Sequence, residues 1–342
     1  QAEDGIRDVE RSRGLGDVYK RQTKMNENRL RFQYECVHDL QHNLDTELGL
    51  KLHIFSGQAQ PVIQSILNKF EDQRVCLISE YCSDRENMEK LAQIDSKIID
   101  QNPNWFSKTF PASHTILDIE SIVNSSKYKP PNSMNDMIQI FSKEFGDWRN
   151  IVFGVTDINS SDYQSKQCQI IESEFSTNLE EFKPRLNPSS YFIGGESIAL
   201  QSLDNKLLLE KQFVKNISTP YSISTNTEGN PFEPTTTGLS PYLSTGCLSV
   251  RRLWNACSEI QQLGEHTKPP VSIHGQLMFR EMFYLLSRSV MNWDQDKQNT
   301  HCKEIEWGTT KQSLLAAWAV SYTHLRAHET SLHLVCRLLL EK

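Results

Sequence analysis

The chain of 342 residues contains no apolar run near the roughly 18 consecutive positions of a spanning helix, so none is expected. It has no excess of base either: 36 Lys and Arg stand against 43 Asp and Glu, a formal charge of −7. That excludes a generally basic nucleic-acid coat and leaves a local basic groove open. None of the eight cysteines (36, 76, 82, 168, 247, 257, 302 and 336) is spaced as CxxC, and no His/Cys cluster has zinc-site spacing. Thiols scattered through a chain this long point to the reducing cytosol or nucleus. GxGxxG and the P-loop are missing, which excludes nucleotide domains of those types, and neither GxSxG nor HExxH occurs. What remains is a globular composition, 37% hydrophobic and 23% charged, long enough for about two domains.

The two ends are expected not to belong to the protein. Residues 1–22, QAEDGIRDVERSRGLGDVYKRQ, show no periodicity, cap or apolar face, and resemble the conceptual translation of a sequencing adapter. Residues 320–342 resemble a second one. Their plainer reading is a tail and a short amphipathic helix with Leu332, Leu334, Val335, Leu338 and Leu339 on its apolar side. Setting both aside leaves 23–319, still acidic in balance, with the natural protein expected to be cut at both ends.

Within that body, residues 23–125 alternate helical and strand-like stretches. A helix is predicted over Arg29–Leu48, a strand over Leu50–Phe55, and a helix opened by Pro61 at its first position. A buried strand follows at Val75–Ser79, then a helix over Asp84–Gln101 with Met88, Leu91, Ile94 and Ile98/Ile99 on one face. A weak strand at Trp105–Phe110 and a short helix at Ile116–Val123 complete the pattern, which predicts a parallel sheet with crossover helices. Residues 126–195 are polar and punctuated, and read as an interdomain connection with a few local elements. From 196 to 319 the pattern is helical, with helices over Glu196–Leu209, Val250–Leu263 and Ile273–Val290, the last apolar nearly all round. The expected fold class is therefore α/β followed by all-α.

Chemistry concentrates in PTTTGLSPYL, 234–243. Ser240 before Pro241 reads as N-cap and first helical residue, with Thr235, Thr236, Thr237 and Gly238 just upstream. Such a turn can aim hydroxyls and backbone N–H groups at one point, and a helix N-terminus there suits phosphate. A capped helix after a polar loop is the plainer reading of the same residues. Gly246 can close this short helix and Ser249 cap the next. Further on, Gln276 and Arg280 share one face of an otherwise apolar helix. A buried Arg needs a partner. Either a carboxylate such as Glu281 or Asp204 supplies it, or a polar ligand does. His274 reads as a core histidine, and Arg251–Arg252 as a solvated face.

Taken in order, several motifs resemble the photolyase/cryptochrome family, and within it the animal cryptochrome and (6-4) photolyase branch. They are NRLRF (28–32), LHIFSGQAQPVIQSIL (52–67), SHTILD (113–118), YKPPNSM (128–134), GGES (194–197), TTTGLSPYLSTGCLSVRRLW (235–254), PPVSIHGQLMFREMFY (269–284) and THCKEIEWGTTKQSLLAAWA (300–319). The resemblance covers essentially all of 27–319. It implies a partial parallel-sheet α/β domain of the antenna-binding type, followed by the first half of a helical FAD-binding domain. The family's flavin-phosphate turn matches Thr235, Thr236, Thr237, Gly238, Leu239 and Ser240. Its buried flavin helix matches Gln276 and Arg280, with Ile273 as apolar neighbour, and Tyr221 aligns across a gap with an upstream aromatic contact. Both plainer readings above are thereby reversed: the threonine turn and the Gln/Arg pair would face one cofactor.

Two departures accompany the resemblance. The family's first strand and everything after Ala319 have no counterpart, so this chain alone is expected to be inactive and to hold no FAD stably. Ser244–Thr245 stand where the branch usually carries a basic–aromatic pair. For the whole protein the resemblance implies either light-driven repair of pyrimidine photoproducts in DNA or cryptochrome signalling, as a photoreceptor or circadian-clock component with protein partners. An antenna chromophore, folate or deazaflavin, would accompany FAD. No metal and no membrane are expected, and the location would be nuclear and/or cytoplasmic.

Overall fold

A computed structural model describes residues 27–82, 85–111, 114–154, 171–184, 191–205, 237–262, 268–290 and 292–293. One compact unit, Met25–Ser289, holds all the elements that follow. Helix α1 runs Glu27–Leu48 and stops at Gly49, whose φ of 61° only glycine adopts freely. The N–H groups of Gly49 and Leu50 are taken up by the carbonyls of Asp45 and Leu44, at 3.1 and 2.9 Å.

The predicted strand Leu50–Phe55 does not form. Phe55 makes a single antiparallel bridge with Ser176, flanked by bonds from Ser56 N–H to the Phe175 carbonyl and from Thr177 N–H to the Ile54 carbonyl. The apolar run was satisfied by a short irregular segment instead of a sheet neighbour. Helix α2, Ala59–Leu67, starts two residues before Pro61, which therefore sits third in the helix. The position costs nothing, because the first four helical N–H groups have no intrahelical partner.

Strands β1 (Val75–Glu80) and β2 (Trp105–Phe110) pair in parallel, with Val75 opposite Trp105 and Glu80 opposite Phe110. Helix α3 (Arg85–Lys97) and a 3-10 turn at Ile99–Gln101 make the crossover, as the alternation predicts. Leu67, Ile94, Ile98, Ile99 and Trp105 form the core of this region, with Val75 and Leu77 packed on it. The opposite face carries Ile78, Phe106 and Phe110, all exposed. The strand predicted as buried is thus half-buried on one face and open on the other. Helix α4 spans Ile119–Val123, where Asp118 caps the Ser121 N–H.

Within the stretch expected as a connection lies a full helix, α5, Met134–Phe145. Ser133 and Asp136 build a reciprocal capping box that starts it: the Ser133 hydroxyl accepts the Asp136 N–H at 3.2 Å, and Asp136 Oδ2 accepts the Ser133 N–H at 2.9 Å. Met137 and Phe141 on its inner face are fully buried. Helices α6 (Glu196–Leu203), α7 (Ser240–Thr245), α8 (Val250–Gln261) and α9 (Ile273–Ser289) follow the predicted order, and the ends predicted at 209 and 263 lie outside the described residues. The Phe141 ring stacks on Trp254 at 5.2 Å, and Trp254, Cys257, Met278 and Leu285 are all sealed from solvent. Helix α9 is not buried all round as expected: the apolar Phe283 is 54% exposed.

Candidate functional site

Segment 191–197 is gripped by α1 through three side chains spaced four residues apart. Arg31 Nη2 donates to the Phe192 carbonyl at 2.6 Å, Glu35 Oε2 accepts the Gly194 N–H at 2.8 Å, and Asp39 Oδ2 accepts the Glu196 N–H at 2.8 Å. Four helical residues advance about 6 Å, and two residues of extended chain about 6.6 Å. Each turn of α1 therefore meets alternate residues of the segment. Asp39 also accepts the Ser197 N–H and hydroxyl, so it caps α6 from another helix, while the residue at the cap position is Gly195 (φ 123°). The glycines of GGES are required by contact: a Cβ on Gly194 would lie 2.2 Å from the Phe32 carbonyl oxygen, and one on Gly195 2.9 Å from Asp39.

From the other side, Tyr242 of α7 donates its hydroxyl to the Ile193 carbonyl at 2.8 Å and packs its ring 5.5 Å from Phe32. Between these elements lies a cavity of about 70 Å³ lined by Tyr191, Phe192, Ser202, Asn205, Thr237, Gly238 and Tyr242. Thr237 and Gly238 therefore border a polar-and-aromatic recess, and Gly238 takes a φ of 66°. Leu239 is buried and serves as N-cap, one residue before the Ser240 predicted for that place; no side chain closes the cap. Ser240 is exposed as the first helical residue, and Pro241 is second. Gly246 ends α7 in the left-handed conformation as predicted (φ 81°), and Ser249 stands at the N-cap of α8 without a side-chain cap bond. Tyr221, Thr235 and Thr236 lie outside the described residues.

Gln276 and Arg280 sit half-buried on α9, and neither lines this cavity. Gln276 Nε2 donates to the Pro270 carbonyl at 2.9 Å. Arg280 pairs with Glu281 at 3.1 Å and lies over the Tyr284 ring at 4.9 Å. One of the two carboxylates foreseen for it, Glu281, is thus its partner. Ile273 opens α9 and is half-buried. His274 is a core histidine, its Nε2 3.2 Å from the Ser258 hydroxyl and 3.1 Å from the Trp254 carbonyl. Arg252 is exposed, whereas Arg251 is half-buried over Phe153.

Glu281 has a larger role than a counter-ion. It is fully buried, and its Oε2 accepts the N–H groups of both Ile116 and Leu117, at 2.9 and 3.0 Å. Burial pushes its carboxyl up to about 7, against the opposite pull of the Leu117 N–H, Arg280 and the Ile116 N–H. The Thr115–Asp118 motif is thereby pinned to α9. Sequence reading named Glu281 only as a partner for Arg280. The grip by Arg31, Glu35 and Asp39 was not anticipated at all, although their four-residue spacing on one helix face was a usable signal.

The DNA photolyase family model matches residues 13–150, a span that opens inside the segment 1–22. A (6-4) DNA photolyase of Arabidopsis thaliana is 31% identical over 300 residues, covering 85% of this chain and 50% of that protein. Cryptochrome-1 of Gallus gallus is 27% identical over 303 residues, covering 86% and 46%. The chain spans about half the length of the curated relatives it matches. Among solved structures, a bacterial class III photolyase from Agrobacterium tumefaciens superposes with a TM-score of 0.51 at 14% identity, covering 76% of this chain and 49% of that one. A helix-rich body beside a small parallel sheet is thus a photolyase-type fold. Over most of its length the chain is similar to members of the photolyase/cryptochrome family. That family's cofactor is FAD.

Proposed function

We propose that this chain is part of a blue-light-responsive FAD flavoprotein of the photolyase/cryptochrome type. The whole protein would be a lyase of the (6-4) type, repairing UV pyrimidine photoproducts in DNA. The observation that carries the reading is the Thr237–Gly238 turn at the rim of a recess whose opposite wall is held by α1 and Tyr242. Its lining offers donors that suit a phosphate, the Thr237 hydroxyl and the Asn205 amide, beside a glycine of positive φ. Thr235 and Thr236 would extend that set.

At about 70 Å³ the recess is well below the roughly 300–1,000 Å³ of sites that enclose a small-molecule cofactor. The described residues therefore fit one end of FAD and not the whole molecule. When bound, FAD supplies light-driven electron transfer to the lesion. The chain's own part is to bind and orient: hydroxyls and N–H groups at the phosphate end, and Gln276 and Arg280 on α9 as further polar contacts beside Ile273. Glu281 and Tyr284 hold the Arg280 guanidinium in place, so it would approach the cofactor prepositioned. The lesion would be flipped out of the duplex to reach the site. An antenna, folate or deazaflavin, would belong to the α/β part.

A second reading, cryptochrome signalling to clock or other protein partners, draws on the acidic balance of 43 Asp and Glu against 36 Lys and Arg. DNA binding relies on neutralising phosphates, which this composition does not favour. Either role suits a nuclear and/or cytoplasmic protein. Among the described residues no helix is long and apolar enough to cross a membrane, and no metal-binding cluster occurs. The test is expression of the whole protein with and without Arg280→Ala. The variant is expected to purify with less flavin, and equal occupancy would overturn the role of Arg280. Blue-light repair of a (6-4) lesion separates repair from signalling. The present 342-residue chain, titrated with FAD under fluorescence anisotropy, is expected to bind no stoichiometric flavin.

A further inference from the structure

The side of α9 that carries Arg280 continues through Tyr284 and Arg288, spaced four apart and so stacked one above another. The end of β1 and the segment after β2 meet this stripe. Arg288 Nε donates to the Tyr81 hydroxyl at 2.8 Å. Tyr284 makes a T-shaped contact with the His114 ring, their centroids 5.4 Å apart. Arg280 lies over the same Tyr284 ring at 4.9 Å. His114 is itself fixed, because it gives its backbone N–H and its ring Nδ1 to one oxygen, Glu80 Oε1, at 3.2 and 2.9 Å. A train of contacts, Glu80–His114–Tyr284–Arg280, thus runs from the end of a strand to a guanidinium. A second support runs through Glu281, whose Oε2 accepts the Ile116 and Leu117 N–H groups while its Oε1 accepts Arg280 Nη1 at 3.1 Å. Both supports leave one short segment, 114–117, and both end on Arg280.

We propose that Glu80 and His114 are positioning residues for Arg280, acting through Tyr284. The proposal rests on the reading of Arg280 as a contact to FAD and adds to it two residues of the sheet region. The bond to Glu281 fixes one nitrogen of the guanidinium, which leaves the group free to swing about that point. The Tyr284 face attracts the cation and supplies a second point. Two points set the direction of a planar fork. A ring that turned would carry Arg280 with it, so the ring must be held as well. His114 packs against Tyr284 and limits that turn, and the two bonds to Glu80 keep His114 in place. Folding stability does not account for the arrangement. The His114 and Glu80 side chains are 26% and 44% exposed, and pairs so open to water add little to stability. Their effect is to order the guanidinium before a ligand arrives, so that less freedom is lost on binding. The end of β1 thereby tunes the affinity of a site on α9.

The first experiment needs no flavin. Nitrogen-15 relaxation of the Arg280 Nε–H in the full chain, assigned by its loss in Arg280→Lys, reports how firmly the guanidinium is held. His114→Ala should lower its order parameter while the urea midpoint hardly moves. Glu80→Gln keeps the shape of its side chain and should give a smaller loss; it carries the test should His114→Ala unfold. Tyr284→Phe keeps the ring and should change nothing. Tyr81→Phe removes the Arg288 bond one turn further along α9 and should leave Arg280 as ordered as before. Unchanged order in both His114→Ala and Glu80→Gln overturns the proposal. So does an equal loss in Tyr81→Phe, which would make the effect a general loosening of α9. In the whole protein, titrated with FAD, His114→Ala is expected to weaken binding about three- to tenfold. It should add nothing in an Arg280→Ala background, because both act on one contact. Fully additive losses overturn the coupling. If Arg280→Ala leaves FAD binding unchanged while His114→Ala still mobilises Arg280, the FAD reading falls and the positioning stands.

Discussion

The sheet region and the α5–α8–α9 region dispose of their aromatic and aliphatic residues differently. Around β1 and β2, one face packs on Leu67, Ile94, Ile98 and Trp105, while the other leaves Ile78, Phe106 and Phe110 in solvent. Parallel sheets are normally covered on both faces. In the helical region Trp254 is enclosed by Phe141, Phe153 and His274, and even a carboxylate, Glu281, is sealed in and fully bonded. One region has a single layer of contacts to lose; the other is interlocked through side chains and backbone together. The difference means that equal truncations should not have equal effects.

Trp254→Ala should be the most damaging change, at about 3–5 kcal/mol, because the site is walled by rigid rings that cannot collapse into the space. Urea unfolding would show it; a loss below about 1 kcal/mol would mean the helical core is looser than its packing implies. Next comes Gly194→Ala, expected to cost about 1–3 kcal/mol by driving a methyl into the Phe32 carbonyl. Asp39→Ala should follow at about 1–2 kcal/mol, since it strips α6 of its only side-chain cap among the described residues. Hydrogen exchange at the Glu196 and Ser197 amides would separate the two: both rise in Asp39→Ala, even where global stability barely moves.

The pH dependence gives a signed test of the interlocked region. The Glu281 carboxyl titrates near 7 in the folded chain and near its ordinary 4.5 when unfolded. Between those values the folded state holds the extra proton, so this group's contribution to stability falls as pH rises from about 4.5 to 7 and stays low above it. Glu281→Gln should flatten that dependence in urea midpoints taken at pH 5 and pH 7.5; an unchanged slope would assign it to other groups. The smallest effect belongs to the open sheet face. Ile78→Ser, at a position 65% exposed, should stay within about 0.5 kcal/mol. A larger loss would show that this face is covered in solution.

Elements with local causes were legible in the sequence. The alternation at 75–110 predicted a parallel pair, and the apolar spacing of 250–290 predicted two core helices, because periodicity records burial directly. Gly246 as a left-handed stop followed from residue chemistry alone. Helix α5 was missed even though SMND carries its capping box, since Pro130, Pro131 and polar neighbours masked a signal only four residues long. Leu50–Phe55 has a strand's composition, but a strand needs a partner, and which segment lies alongside is not encoded locally. The same limit governed the site. Thr237 and Gly238 were placed in a turn that does border a recess, whereas the Glu281 bonds to Ile116 and Leu117 span 165 and 164 residues. No pattern within a window could reveal them.

The bonds from α1 to 191–197 act together as a vernier. Three contacts repeat every four residues on one scale and every two on the other, so they fall into step at one setting and cannot be shifted singly. A slip of one residue along 191–197 would put Ile193 and Gly195 where Phe192 and Gly194 now stand, turning each side chain to the opposite side. It would also bring Glu196 to the place of Gly195, where a Cβ lies 2.9 Å from Asp39. The recess wall formed by Tyr191 and Phe192 therefore has its position quantised by α1. A substitution at Arg31, Glu35 or Asp39 of α1 therefore reaches the recess wall through the backbone of 191–197.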